Sequence, residues 1–241
     1  YHQLDVVRKI TDDVSQNGVG KTYLIQHSAG SGKSNSITWC AYRLIETYPA
    51  KEGVSDKDME YPLFDSVVVV TDRKILDKQL RGNIASFSEV KNIVAPAFSS
   101  AELKSNLESG KKIIITTIQK FPFIVDGISD LSDKKFAVII DEAHSSQSGT
   151  AHHKMNEAMG KKDFDDDMDV QDMVLEVMQS RKMKNNASYF AFTATPKNST
   201  LEKFGTKQDD GSFVPFHLYS MKQAIEEGFI LDVLSNYTTY K

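Results

Sequence analysis

The sequence predicts an α/β fold, a mostly parallel sheet with helices on both faces. Three observations carry that expectation. Short β-branched runs recur, each followed by a stretch with helical spacing, which is the alternation of βαβ units. Several of those runs are apolar throughout, as strands covered on both faces are. The first run leads into the glycine-rich stretch His27-Ser28-Ala29-Gly30-Ser31-Gly32-Lys33-Ser34, and a helical pattern follows directly.

In chain order, strands are expected at 22–26, 67–71, 92–95, 112–116, 137–141 and 189–193, where Val, Ile, Thr and aromatic residues cluster. After the first strand, Ile37, Ala41, Leu44, Ile45 and Tyr48 fall at i, i+4, i+7, i+8 and i+11, one face of a helix expected to stop before Pro49. Between Ser100 and Gly110 a serine cap, periodic Leu103 and Leu107 and a terminal glycine bracket a second helix. Two stretches break the rhythm. Residues 49–62 are polar and charged and read as a surface insertion. Residues 161–172 carry Asp163, Asp165, Asp166, Asp167, Asp169 and Asp172 and run into the helical pattern Met173, Val174, Val177, Met178. A calcium loop there would need glycine where Val170 stands, so this segment is expected to be a solvated acidic loop before a helix.

Composition bounds the function classes. At 241 residues, 40% hydrophobic and 26% charged, the chain has the material for a real core, which excludes disorder, collagen and coiled coil. A net charge of −4 gives no global basic field, so any nucleic-acid contact must be local. The apolar runs are strand-sized, far below the roughly 20 residues of a membrane span. The single cysteine, Cys40, excludes an intrachain disulfide and a cysteine-based zinc site. His152 and His153 lack the ligand spacing of a metal site. A soluble chain of the cytoplasm is expected, and its opening at Tyr1-His2-Gln3 without Met reads as a fragment of a longer protein.

The chemistry concentrates in two motifs. In the glycine-rich stretch, Gly30 and Gly32 permit a path that turns successive N–H groups around a β-phosphate, and the next helix adds its positive end. Lys33 then reaches the β- and γ-phosphates, and the Ser34 hydroxyl suits Mg²⁺. His27 occupies the first position of this loop, where the strict pattern has glycine. The second motif, Phe136 to His144, is an apolar strand ending in Asp141-Glu142. Asp141 is expected at the carboxyl edge of the sheet beside the phosphate loop, serving Mg²⁺, with Glu142 orienting and deprotonating an attacking water.

With Gly-Ser-Gly-Lys-Ser at 30–34, Asp-Glu-Ala-His at 141–144 and Phe-Thr-Ala-Thr-Pro at 192–196, the chain resembles the first RecA-like domain of superfamily 2 helicases and translocases. The finer resemblance is to the motor (R) subunit of type I restriction-modification enzymes. It rests on Tyr1-His2-Gln3, the stretch from Val70 to Gln79, Thr116 to Phe121, Asp141 to Gly149, Phe204-Gly205, and Tyr219-Ser220-Met221 followed by Ala224 to Gly228. The resemblance implies a RecA-like P-loop NTPase domain filling residues 1–241, with a nuclease domain and a second RecA-like domain outside this fragment. It implies ATP as cofactor with Mg²⁺, translocation of double-stranded DNA before cleavage, and methyltransferase and specificity subunits as partners in a bacterial or archaeal cytoplasm. Gln3 would read adenine, Ala29 to Ser34 would hold the triphosphate, and His144, Thr193 and Thr195 would couple nucleotide to DNA. Arg73, Thr117 and Gln119 would neighbour the DNA backbone. An arginine finger would come from the second domain, so the fragment alone is expected to hydrolyse ATP poorly. Another superfamily 2 DNA or RNA helicase, and a nucleotide-gated binding module without turnover, are the alternative readings.

Overall fold

A computed structural model describes residues 2–50, 58–71, 93–118, 120–141 and 186–232. The chain begins with helix α1 (His2–Asn17), which turns Val6, Val7, Ile10 and Val14 into the core. Strand β1 (Thr22–His27) and helix α2 (Lys33–Leu44) follow, and α1 packs against α2. Next come β2 (Ser66–Thr71), β3 (Val94–Pro96), helix α3 (Ser100–Glu108), β4 (Ile113–Thr117), helix α4 (Phe121–Asp130), β5 (Phe136–Ile140) and β6 (Ala187–Thr193). Helix α5 (Asn198–Phe204), β7 (Thr206–Lys207), β8 (Phe213–Val214), β9 (His217–Tyr219) and α6 (Met221–Glu226) complete the described elements.

Seven strands form one sheet in the order β3-β4-β2-β5-β6-β1-β9, and its pairings are parallel. Strands β7 and β8 make a separate antiparallel ribbon. The side-chain period of two sorts the central strands into two cores. Val68, Val70, Ile114, Val138 and Ile140 meet Leu103 of α3 and Ile124 and Ile128 of α4 on one face. Val67, Val69, Ile113, Ile115, Ala137 and Ile139 meet α1 and α2 on the other, through Val6, Ile10, Ile37, Ala41 and Leu44. This is the expected α/β sheet with helices on both faces. Each valine, leucine or isoleucine among them stabilises by about 1.5–3 kcal/mol through area removed from water.

Several expected boundaries move. Helix α2 ends at Leu44, four residues before Tyr48: the chain tightens through Glu46 N–H to Arg43 O and Thr47 N–H to Leu44 O. Tyr48 is exposed instead of continuing the buried face. Helix α3 has its cap at Ser99, whose hydroxyl accepts the Glu102 N–H at 3.2 Å, and Gly110 at φ 79° follows it. Strand β5 stops at Ile140, so Asp141 is the first residue beyond it. Neither β9 nor the β7–β8 ribbon was among the expected strands.

Of the two expected insertions, 161–172 lies outside the described residues, as do 51–57 of the first. Its flanks are pinned, with Ala50 N–H on Ser15 O at 2.8 Å and Leu63 N–H on Thr47 O at 2.7 Å. Among the described residues, no helix is long and apolar enough to cross a membrane.

Candidate functional site

Between the end of β1 and the start of α2, the chain takes the left-handed conformation twice, at Gly30 and Gly32, both at φ 77°. Residues with a Cβ rarely adopt that conformation, so both glycines are required by the loop's path. Gly32 is the N-cap of α2, and no side chain caps the helix. The first N–H groups of a helix have no intrahelical partner, and its dipole is positive there, so this end suits an anion. Lys33 is 9% exposed, and its Nζ donates to the carbonyls of His27 at 3.3 Å and Ser28 at 3.4 Å. The ammonium is thus held across the mouth of the same loop whose N–H groups would meet a phosphate.

Helix α1 grips this loop from outside. Ser31 O lies 2.9 Å from His2 Nε2 and 3.0 Å from Gln3 Nε2, which also reaches Gly32 O at 3.4 Å. A methyl group at Gly32 would collide with Gln3 Nε2, so the glycine also permits this close approach. The structure therefore places Gln3 on the phosphate loop itself, with its amide nitrogen committed to loop carbonyls.

His27, the departure from the strict motif, is fully buried. Its Nε2 lies 2.8 Å from His217 Nδ1, and His217 Nε2 lies 2.9 Å from Asp5 Oδ2. Burial pushes the His27 imidazole down to about 3, with His217, His2 and Lys33 adding to the shift. His217 is also lowered by burial, against the pull of Asp5. The Lys9 ammonium and then His217 hold the Asp5 carboxyl below the usual carboxylate range. From the other side, Tyr219 O of β9 accepts the Ser28 N–H at 3.0 Å. His2, Asp5, His217 and Tyr219 were not anticipated as neighbours of the loop. Helical spacing on 2–17 was available to find α1, but nothing in the sequence links positions 5, 27 and 217.

At the carboxyl edge of the sheet, β6 lies between β1 and β5. Asp141, expected at this edge beside the phosphate loop, follows the end of β5 there, with β6 between. It stands one strand further out, 7% exposed, with its N–H on Val70 O at 2.9 Å. The end of β6 fills the position between, with Thr193 buried and Thr195 exposed. Ser34, at the start of α2, is half-buried. A serine hydroxyl and a carboxylate are hard oxygen donors, the set that suits Mg²⁺ shared with phosphates. Among the described residues there is no cluster of three or more His, Cys, Asp or Glu that could hold a metal alone. Thr117, expected to neighbour the DNA backbone, ends β4 and is 6% exposed. Glu142, His144, Arg73 and Gln119 lie outside the described residues.

Residues 2–164, two thirds of the chain and the phosphate loop with them, match the SWI2/SNF2 ATPase family. The chain belongs to that family. This SWI2/SNF2 ATPase domain is similar to the type I restriction enzyme SsaAORF53P endonuclease subunit of Staphylococcus saprophyticus, with 27% identity over 98% of the chain and 21% of the relative. It is 31% identical to the putative type I restriction enzyme MjaIXP endonuclease subunit of Methanocaldococcus jannaschii, over 85% of the chain and 17% of the relative. The domain thus spans about a fifth of the length of these relatives. Its fold is that of the Type ISP restriction-modification enzyme LlaGI, solved as a nuclease-deletion mutant with a DNA substrate mimic. There the TM-score is 0.57 at 14% identity, over 95% of the chain and 18% of that protein.

Proposed function

We propose that this chain is the ATP-binding motor domain of a type I restriction endonuclease R subunit, coupling ATP hydrolysis to translocation of double-stranded DNA before cleavage. The observation that carries this reading is the shared sheet edge, where the uncapped start of α2, the end of β6 and Asp141 follow one another. The similarity to type I endonuclease subunits over nearly the whole chain supports the DNA-directed part.

In this reading Ala29 to Ser34 wrap the triphosphate, and Lys33 leaves its loop carbonyls for the β- and γ-phosphate oxygens. Gln3 keeps its Nε2 on the loop, so its Oε1 is the atom offered to the exocyclic amine of adenine. Ser34 and Asp141 would hold Mg²⁺, which when bound neutralises charge on the phosphates. Glu142 accepts the proton of the attacking water. Thr193 and Thr195, with His144, pass the nucleotide state from the sheet edge toward DNA, with Arg73 and Gln119 as backbone contacts.

The same reading takes residues 1–241 as one RecA-like domain with insertions at 49–62 and 161–172. The nuclease domain, the second RecA-like domain and the arginine finger belong to other parts of the parent protein. Without them, hydrolysis by the fragment alone is slow. Methyltransferase and specificity subunits are its partners, in the cytoplasm.

The test is Mg-ATP hydrolysis by the parent subunit with its partner subunits, comparing duplex DNA, single-stranded DNA and RNA, with Glu142→Gln as control. Stimulation by duplex DNA alone, lost in the control, is expected. Stimulation by RNA or single strands would replace the reading with a general helicase, and nucleotide binding without turnover would replace it with a gated binding module.

A further inference from the structure

A three-residue chain of hydrogen bonds runs from the protein surface to the first residue of the phosphate loop. Asp5, on the first turns of α1, is half-exposed, its side chain 51% accessible, and pairs with Lys9 at 2.8 Å. Its Oδ2 meets His217 Nε2, and His217 Nδ1 meets His27 Nε2. Both imidazoles are buried.

With both imidazoles neutral, as their burial favours, donor and acceptor logic fixes every proton in this chain. An ionised carboxylate only accepts, so His217 donates through Nε2–H. A neutral imidazole carries one N–H, so His217 Nδ1 is bare and accepts. His27 must then donate through its own Nε2–H, which leaves His27 Nδ1 bare. That atom is buried with no hydrogen-bond partner, so the chain of bonds ends there. Reversing any one tautomer would set two N–H groups, or two lone pairs, against each other.

The consequence reaches the loop through the backbone of His27, whose carbonyl receives Lys33 Nζ. We propose that Asp5, His217 and His27 form a positioning relay, in which the Asp5 carboxylate fixes both histidines as Nε2–H tautomers and thereby sets the entry of the phosphate loop and the resting place of Lys33. The inference rests on the reading of this loop as the nucleotide site. Asp5, His217 and His27 are positioning residues and touch no phosphate.

The experiment compares the full chain with its Asp5→Asn, Lys9→Gln and Lys33→Ala variants. ¹⁵N imidazole spectra read the tautomers, and calorimetric titration with Mg-ATP reads the affinity. Asparagine offers both a carbonyl acceptor and an amide N–H donor to His217, so Asp5→Asn removes the bias while leaving a hydrogen-bonding group. In the wild type both His27 and His217 should show protonated Nε2 and bare Nδ1. Asp5→Asn should mix the tautomers and weaken Mg-ATP on the order of tenfold, the effect typical of outer partners that orient a functional group. Lys9→Gln should leave both unchanged. Wild-type spectra with a protonated Nδ1 on either histidine would overturn the relay. So would unchanged affinity in Asp5→Asn, or an equal loss in Lys9→Gln, which would make the effect one of surface charge. If Lys33→Ala abolishes binding while Asp5→Asn does not weaken it, the relay fails and the nucleotide site stands. Absence of Mg-ATP binding by the wild type would overturn both.

Discussion

The ring of His2 lies flat on the ring of Tyr219, with centroids 3.6 Å apart and planes 10° from parallel. The two residues come from opposite ends of the described chain, so this stack closes α1 onto β9, the short strand at the edge of the sheet beside β1. Tyr219 also gives its hydroxyl to Glu227 at 2.8 Å, which ties α6 to the same point.

Tyr219→Ala should therefore cost about 3 kcal/mol of unfolding free energy, the lower part of the range for removing a buried aromatic ring. Tyr219→Phe keeps the stack and loses one hydrogen bond, about 1 kcal/mol. Urea denaturation of the two variants separates these; equal losses would mean that the hydroxyl, not the ring, holds the edge.

Gly32→Ala combines two penalties. The left-handed backbone at φ 77° costs about 1–2 kcal/mol for a residue with a Cβ. The new methyl would also meet Gln3 Nε2 and force it from the loop. Gly110, at φ 79° with open space around it, carries the first penalty alone. Thermal denaturation should rank Gly32→Ala below Gly110→Ala, and adding Gln3→Ala to Gly32→Ala should recover part of the gap. No recovery would mean that backbone strain accounts for the whole effect.

His27 should make stability fall with acid. Its imidazole is held neutral in the folded protein down to about 3, whereas the unfolded chain takes up that proton near the ordinary value of 6.5. Stability is complete above about 6.5 and declines below it, by at most about 1.4 kcal/mol per pH unit for one such proton. His217, shifted in the same direction, steepens the decline. Denaturant titrations at pH 7.5, 6.5 and 5.5 measure the slope, and a flat profile would place both imidazoles in solvent.

Ile139 points from β5 into the core beneath α1 and α2, fully buried. Ile139→Ala should cost about 2–5 kcal/mol, depending on how far the helices settle into the cavity. A loss below 1 kcal/mol, read from the denaturation midpoint at constant slope, would contradict the packing described.

The parts of the fold legible in the sequence are those with a strong period. Val67 to Val70 and Ala137 to Ile140 read as strands because both faces are covered, which leaves an uninterrupted apolar run. Strand β9 has three residues, with Leu218 exposed between His217 and Tyr219, too short for any period to show. The phosphate loop was legible because its glycines and lysine are local in sequence. The histidine chain was not, since Asp5, His27 and His217 meet only after the sheet has brought β9 beside β1. Sequence order likewise hid the strand between the loop and Asp141, because β6 follows β5 in the chain yet inserts before it in the sheet.

That insertion makes the sheet a gauge. Strands β1 and β5, which end in the loop and in the acid, run two inter-strand spacings apart, roughly 9.5 Å, a gap set by backbone hydrogen bonds on both sides of β6. If a nucleotide lies between those two jaws, as proposed, side-chain changes in the loops would alter how firmly it is gripped. They leave the width of the jaws alone, and only a disturbance of β6 itself would change it.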